Sequence, residues 1–373
     1  LDKYLHIVAL EIPYPADYGG VVDLFYKLKE LHKLGVKIHL HCFTNGRQPQ
    51  QELNKYCETV TYYTRKKYSG SFSLSLPLIV KSRTSDELIN NLQKDNHPVL
   101  LEGIHCTYYL HTGELEGRKV LIRLHNAEFK YYSQLANQEY NLFKKLYFLN
   151  ESRLLKRYEK AIANKAQIIA VSQQDVILYQ QLFTAKNIYY LPVFIPYTLA
   201  AGKEGKGNYC LYHGNLSINE NETAAIWLLQ NVFNTLEIPF VIAGKNPSKK
   251  LQNLAYRNKH TCLVANPSEK EMQDMIAKAQ VHVLPSFNNT GVKLKLLNAL
   301  FNGRHCLVNK NGVAGSGLEN VCNIADDAAS FKNAVENLYH QPFTENEKQQ
   351  RQGLLLTIYN NEANAKKLMT FLW

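Results

Sequence analysis

Thr290-Gly-Val-Lys-Leu-Lys-Leu-Leu-Asn-Ala-Leu-Phe-Asn-Gly303 lies between two short apolar runs, Val281-His282-Val283-Leu284-Pro285 and Cys306-Leu307-Val308. The flanking runs read as buried strands and the stretch between them as a helix, so the unit is strand, loop, helix, strand. Thr290 is placed to cap the helix, Gly291 to let a ligand approach the backbone, and Gly303 to end it. The open amides of a first helical turn carry partial positive charge. Lys293 and Lys295 on that same turn oppose it unless an anion compensates them, and the crowding of glycine, cap and two lysines predicts an anion site.

Outward from this unit the pattern repeats. Leu5–Leu10 reads as a strand, residues 11–20 as a Pro- and Gly-bearing loop, Val21–Leu34 as an amphipathic helix stopped by Gly35, and Val36–Phe43 as the next strand. Apolar runs at 98–101, 120–124 and 168–171 alternate with helical stretches, the longest at 128–149 and 151–164. Periodicity is lost around residues 196–208 and then restarts with Tyr209–His213, a helix near 222–233, Phe240–Ala243 and Thr261–Val264. The expected class is α/β, with two doubly wound Rossmann-like domains of parallel strands. Residues 1–197 form the first, 198–208 the linker and 209–357 the second, and 358–373 is a terminal helix packing back on the first.

Composition narrows the class. The 373 residues suggest two domains, and 45% hydrophobic content supplies their cores. No apolar run approaches the roughly 18 residues of a membrane span, and residues 1–5 lack signal-peptide architecture; the expectation is a cytoplasmic protein. The seven cysteines, at 42, 57, 106, 210, 262, 306 and 322, make no CxxC pair, and no His/Cys/carboxylate set has metal-ligand spacing, so neither a disulfide framework nor a metal site is expected. A net charge of +11 favours anionic partners. The basic residues form no stripe interleaved with aromatics, which argues against nucleic acid. Segments 62–80 and 129–149 combine tyrosines with basic residues, a composition that fits peripheral contact with an anionic membrane at its cytoplasmic face.

Several segments, most of them in or beside loops that follow strands, carry a family resemblance. In the first half these are Tyr14-Pro-Ala-Asp-Tyr-Gly-Gly20, Arg123-Leu-His-Asn-Ala-Glu128, Glu159-Lys-Ala161 and Ala170-Val-Ser-Gln-Gln-Asp175. In the second they are His213-Gly-Asn-Leu-Ser217 with Asn219-Glu-Asn221, Ala243-Gly-Lys245, and Thr290–Leu300. Their order and spacing resemble the GT-B-fold, family 4-like glycosyltransferases (glycosyl transferases group 1) of bacterial type, whose two domains face a central cleft. The resemblance implies a retaining, metal-independent enzyme. It moves a sugar from a UDP-, GDP- or ADP-sugar to a hydroxyl of a glycan or lipid-linked acceptor, with no cofactor beyond the donor.

It further implies that Gly291, Val292, Lys293 and Lys295 contact the donor diphosphate, with Gly214 near it. The Gly19-Gly20 loop lies over the cleft, and His125 is a catalytic residue that reaches the transferred sugar. Thr290 and Asn298 stand where the family usually has glutamates, the second for ribose; Asn215 stands where a basic residue often clamps diphosphate, and Lys245 is placed to substitute. These departures keep two other readings open: a catalytically impaired nucleotide-sugar-binding subunit and a GT-B-fold sugar-nucleotide epimerase.

Overall fold

The computed structural model describes residues 2–66, 75–139, 141–288 and 290–373. The chain divides into two compact units, Leu1–Pro196 with Tyr359–Trp373, and Tyr197–Ile358.

The first unit is built on seven parallel strands, β1 Lys3–Ala9, β2 Val36–Thr44, β3 Thr59–Thr64, β4 Val99–Glu102, β5 Val120–Leu124, β6 Gln167–Ala170 and β7 Ile188–Tyr190, in the order β3-β2-β1-β4-β5-β6-β7. Its central strands are apolar on both faces because helices cover both; Leu5, Ile7, Leu100, Leu121 and Ile169 are fully buried. On one face Leu24, Leu28 and Leu31 of helix Gly19–Lys33 pack with Ala365, Leu368 and Leu372 of helix Asn361–Leu372. Asn361 fixes the entry of that terminal helix: its amide donates to the Ile195 carbonyl (2.7 Å) and its carbonyl oxygen accepts from the Ile195 N–H (3.1 Å).

The second unit has six parallel strands, β8 Cys210–Asn215, β9 Phe240–Lys245, β10 Thr261–Ala265, β11 Val281–Val283, β12 His305–Val308 and β13 Asn323–Ile324, in the order β10-β9-β8-β11-β12-β13. Gly214 pairs with Gly244 and Asn215 with Lys245. A Cβ on Gly244 would stand 2.0 Å from the Gly214 carbonyl oxygen, so the glycine is required by the close approach of β8 and β9.

Two local expectations change. The helix expected over 128–149 is two helices, Glu128–Gln138 and Leu142–Ile162, and the second also absorbs the one expected at 151–164. Glu139 is extended, and the Asn141 side chain caps the new start by accepting from the Lys144 N–H at 3.1 Å. Residues 198–208, read as a linker, are bonded into the second unit. The Ala201 N–H donates to the Phe301 carbonyl (2.6 Å), Gly205 bridges Phe343, and the Gly207 N–H donates to the Gln280 side chain (2.5 Å). No helix among the described residues is long and apolar enough to cross a membrane.

Candidate functional site

In each sheet the chain leaves two neighbouring strands in opposite directions, at β1/β4 and at β8/β11. Open parallel sheets bind ligands beyond the carboxyl ends of such strands, where the diverging loops leave a crevice.

In the second unit the β8/β11 crevice gathers charged and polar side chains from β8 and from the loops and helix starts that follow the two strands. The Lys295 ammonium donates to the Tyr212 hydroxyl (3.1 Å) and to the Asn221 side-chain oxygen (3.0 Å), and sits 4.8 Å above the Tyr212 ring. Burial pushes its pKa down to about 8, against the opposing pull of Glu220. Lys293 donates to the Thr290 carbonyl (2.9 Å) and lies 3.8 Å from a Glu220 oxygen. That carboxylate accepts from the Ser286 hydroxyl (2.8 Å) and the Asn288 amide (3.3 Å). His213, at the bottom of the crevice, is pushed down to about 3 by burial and by Lys295. Its Nε2 has no hydrogen-bond partner among the described residues.

The helix start differs from the sequence expectation. The helix runs Leu294–Asn302 with Lys293, not Thr290, in the cap position. Gly291 lies in the left-handed region at φ +62°, a turn that helical backbone cannot contain. The Thr290 N–H and hydroxyl both donate to the Asn288 side-chain oxygen (2.8 Å each) in place of capping. Lys295 is in the first turn, and Glu220 supplies negative charge beside both lysines. Gly303 does follow the helix, but with extended backbone rather than a left-handed cap. Glycine is needed there because a Cβ would stand 2.0 Å from His282 Nε2.

The remaining positions of this site separate. Gly214, Asn215 and Lys245 lie at the carboxyl ends of β8 and β9. The Asn215 side-chain oxygen accepts from the Ser217 N–H (3.1 Å) and hydroxyl (2.7 Å), a local turn. Val292 is half-buried between Gly291 and Lys293. Asn298 is a full turn into the helix, where its side-chain oxygen accepts from the Asn302 amide (2.8 Å). Tyr212, Ser286 and Asn288 were not singled out from sequence, and Glu220 and Asn221 appear there only within the Asn219-Glu-Asn221 run, since isolated polar side chains have no pattern that separates a pocket from a surface turn.

In the first unit a buried ion network lies under the β1/β4 crevice. Asp23 projects from helix Gly19–Lys33 and accepts two bonds from the Arg123 guanidinium (3.0 and 2.8 Å), one from Lys27 (3.0 Å) and one from the Phe194 N–H (2.8 Å). Burial opposes its ionisation, but Arg123 and Lys27 outweigh burial and hold the carboxyl well below the usual carboxylate range. Lys27 also donates to Glu102 at 2.6 Å. The other Glu102 oxygen stands 3.0 Å from His125 Nε2. Asp23, Glu102 and His125 place ligand atoms within 4.8 Å of one another, an arrangement their separation in sequence hides. The Lys27 and Arg123 cations already neutralise both carboxylates, so the donor set does not fit a metal ion.

Gly19 and Gly20 open the helix that carries Asp23 and Lys27. Neither has a left-handed φ, and an added Cβ would meet nothing within 4 Å at Gly19 and only the Tyr18 ring, at 4.0 Å, at Gly20. The fold itself therefore does not require either glycine. Of the basic and aromatic segments, residues 67–74 and 140 lie outside the described residues. Leu142, Phe143 and Leu146 are exposed beside Lys144 and Lys145 at the start of helix Leu142–Ile162.

Residues 207–341 match the family model described as glycosyl transferases group 1. The chain is 28% identical over 353 residues to an uncharacterised 44.6 kDa protein in the cps region of Klebsiella pneumoniae, with 89% of each chain covered. Sucrose-phosphate synthase from Thermosynechococcus elongatus superposes with a TM-score of 0.70 at 12% identity, covering 99% of this chain and 98% of that one. Anabaena HepE in complex with UDP and glucose gives 0.67 at 11% identity, with 99% of both chains covered. WaaG, a glycosyltransferase involved in lipopolysaccharide biosynthesis, gives 0.65 at 12% identity over 98% of this chain and 99% of that one. Residues 207–341 are thus a glycosyl transferases group 1 domain, and the chain as a whole shares the GT-B fold of these glycosyltransferase structures.

Proposed function

We propose that the chain transfers a sugar, with retention and without a metal, from a nucleotide-diphosphate donor to a hydroxyl of a glycan or lipid-linked acceptor in bacterial polysaccharide biosynthesis. The observation that carries this reading is the pair of ammonium groups, Lys293 and Lys295, at the β8/β11 crevice immediately before and within the first turn of helix Leu294–Asn302. A departing diphosphate is the charge such a transfer must stabilise, and ammoniums and helix amides at a crevice stabilise it electrostatically. Val292, Gly291 and Thr290 offer backbone to the phosphates, Gly214, Asn215 and Lys245 border them, and Asn298 takes the position of the ribose ligand. His125 contacts the transferred sugar, and Gly19 and Gly20 admit ligand close to the backbone.

The sources of support are distinct. HepE was solved with UDP and glucose, WaaG acts in lipopolysaccharide biosynthesis, and the Klebsiella relative is encoded in a cps region. A UDP-sugar is accordingly favoured over GDP- or ADP-sugars. The exposed Leu142, Phe143 and Leu146 beside two lysines support peripheral contact with the cytoplasmic face of an anionic membrane.

A thermal-shift panel of UDP, GDP, ADP and their sugars tests the reading. Ligand at 100 times its dissociation constant adds about 2.7 kcal/mol, which moves the midpoint by several degrees. A UDP response that is lost in Lys295→Ala is expected, and no response to any of the nucleotides overturns the proposal. The Thr290 and Asn298 departures keep a non-catalytic sugar-nucleotide-binding subunit as the second reading, distinguished by binding without release of UDP from UDP-sugars.

A further inference from the structure

We infer that Glu102 is the positioning residue for His125, and that Lys27 and Asp23 anchor it from the helix opened by Gly19-Gly20. The inference deepens the proposed assignment of His125 to the transferred sugar and rests on it for its catalytic consequence. Its structural half stands on its own.

Glu102 is the last residue of β4, and His125 follows the last residue of β5, with Glu102 paired in register with Arg123. The carboxyl ends of two adjacent strands thus bring the pair together across one ladder. A carboxylate only accepts hydrogen bonds, so at 3.0 Å His125 Nε2 must carry the proton, and Nδ1 is left as the ring nitrogen available to a ligand. Glu102 is 1% exposed and its second oxygen is held by Lys27 at 2.6 Å. Lys27 is held in turn by Asp23, and Asp23 by Arg123 and by the Phe194 N–H. Arg123 also donates to the Leu191 and Pro192 carbonyls (2.7 and 2.9 Å). Each link is buried and multiply bonded, so the carboxylate cannot turn without breaking another charge pair.

The cost of such a network is substantial, since desolvating four charges stabilises little over an apolar core of the same volume. What it supplies is orientation. His125, partly exposed at the end of this chain of contacts, is the member that remains accessible. The arrangement follows the logic by which a buried carboxylate sets the tautomer and direction of a working imidazole.

The test is the imidazole nitrogen spectrum of the full chain labelled with 15N-histidine, with His125 assigned by its loss in His125→Gln. The wild type is expected to show the Nε2–H tautomer. Glu102→Leu, combined with Lys27→Met so that no buried cation is orphaned, is expected to yield a mixture of tautomers with the fold retained. Release of UDP from UDP-glucose, UDP-galactose and UDP-N-acetylglucosamine supplies the second readout. The double variant is expected to lose about 10- to 100-fold in kcat, with little further loss when His125→Ala is added. An unchanged tautomer in the folded double variant, or losses that multiply with His125→Ala, overturns the inference. If the wild type releases no UDP while the tautomer shifts as expected, the proposed activity fails and the positioning of His125 by Glu102 stands.

Discussion

Glu128→Gln should make the protein more stable above neutral pH and leave it unchanged in mild acid. Glu128 opens helix Glu128–Gln138 and is 5% exposed. Burial pushes its carboxyl up to about 7; the nearby Asp175 adds to the effect, and a hydrogen bond with Asn126 and the charge of Arg83 oppose it. A folded-state value above the unfolded one means that the fold favours the protonated form. The stability that Glu128 contributes is therefore fully present below pH 4.5 and is lost as pH rises towards and through 7. Over that interval the loss reaches about 3 kcal/mol, at about 1.4 kcal/mol per pH unit. Glu159 is also pushed well above the usual range by burial and weakens the wild type in the same direction, so only the difference between the two proteins isolates Glu128. Calorimetric melting from pH 5 to 8.5 is the assay. The variant should melt within about 3 °C of wild type at pH 5 and about 6–12 °C higher at pH 8, given about 2–4 °C per kcal/mol for a unit of this size. A difference that does not change with pH refutes the assignment.

Three further outcomes follow from the two crevices. Because Lys295 titrates near 8, UDP affinity measured calorimetrically should fall as pH rises through 8, and Lys295→Met should bind at least about 10-fold more weakly with no break there; a break that survives in the variant refutes the role. Gly244→Ala, whose Cβ would stand 2.0 Å from the Gly214 carbonyl, should destabilise the second unit by about 2–3 kcal/mol, whereas Gly20→Ala should leave the melting temperature unchanged or higher while depressing UDP release from UDP-sugars. Comparable melting losses in both would show that the first glycine pair serves the fold rather than a ligand. Phe143→Glu should reduce cosedimentation with phosphatidylglycerol vesicles at least several-fold without changing the melting temperature, and unchanged binding would remove the membrane contact.

How much of this was legible depended on whether the signal was local. The strands β1, β2, β5 and β9 are β-branched or apolar at most positions, and each was marked in sequence to within a few residues. β3, β7 and β13 were not. β3 is only partly buried, while β7 and β13 have three and two residues, so edge position removed the apolar run that would reveal them. The helix after β11 was visible because Gly303 and the following strand bound it, but its cap lies three residues later than the sequence suggests. Thr290 has the composition of a cap, and only the left-handed Gly291 and the Asn288 turn show that it serves another one. His125 was marked by the His-Asn-Ala-Glu run. Glu102 and Asp23 were invisible as its partners, because ladder register and helix face bring together residues 23 and 102 positions apart along the chain.

An ammonium beside one carboxylate and several neutral oxygens is not spare charge awaiting an anion. Lys295 is fixed by Tyr212 and Asn221, and Glu220 is fixed by Ser286 and Asn288. The contact between Glu220 and Lys293, at 3.8 Å, is the loosest of the set and exceeds hydrogen-bond length. An incoming diphosphate that drew Lys293 away would leave Glu220 with both of its neutral donors, so the exchange would orphan no buried charge. On the proposed reading the two lysines therefore differ in kind: Lys295 is preorganised and Lys293 is recruited. The crevice holds its carboxylate at Glu220, in the first turn of helix Asn219–Asn231 after β8, and Asn298 in the later helix is engaged with Asn302. A carboxylate whose bonds are met by Ser286 and Asn288 is directed at the lysines rather than at a ribose. On the proposed reading, Asn298 in place of a ribose-binding glutamate then has a physical consequence: donor selectivity would rest on the phosphates more heavily than on the sugar of the nucleoside.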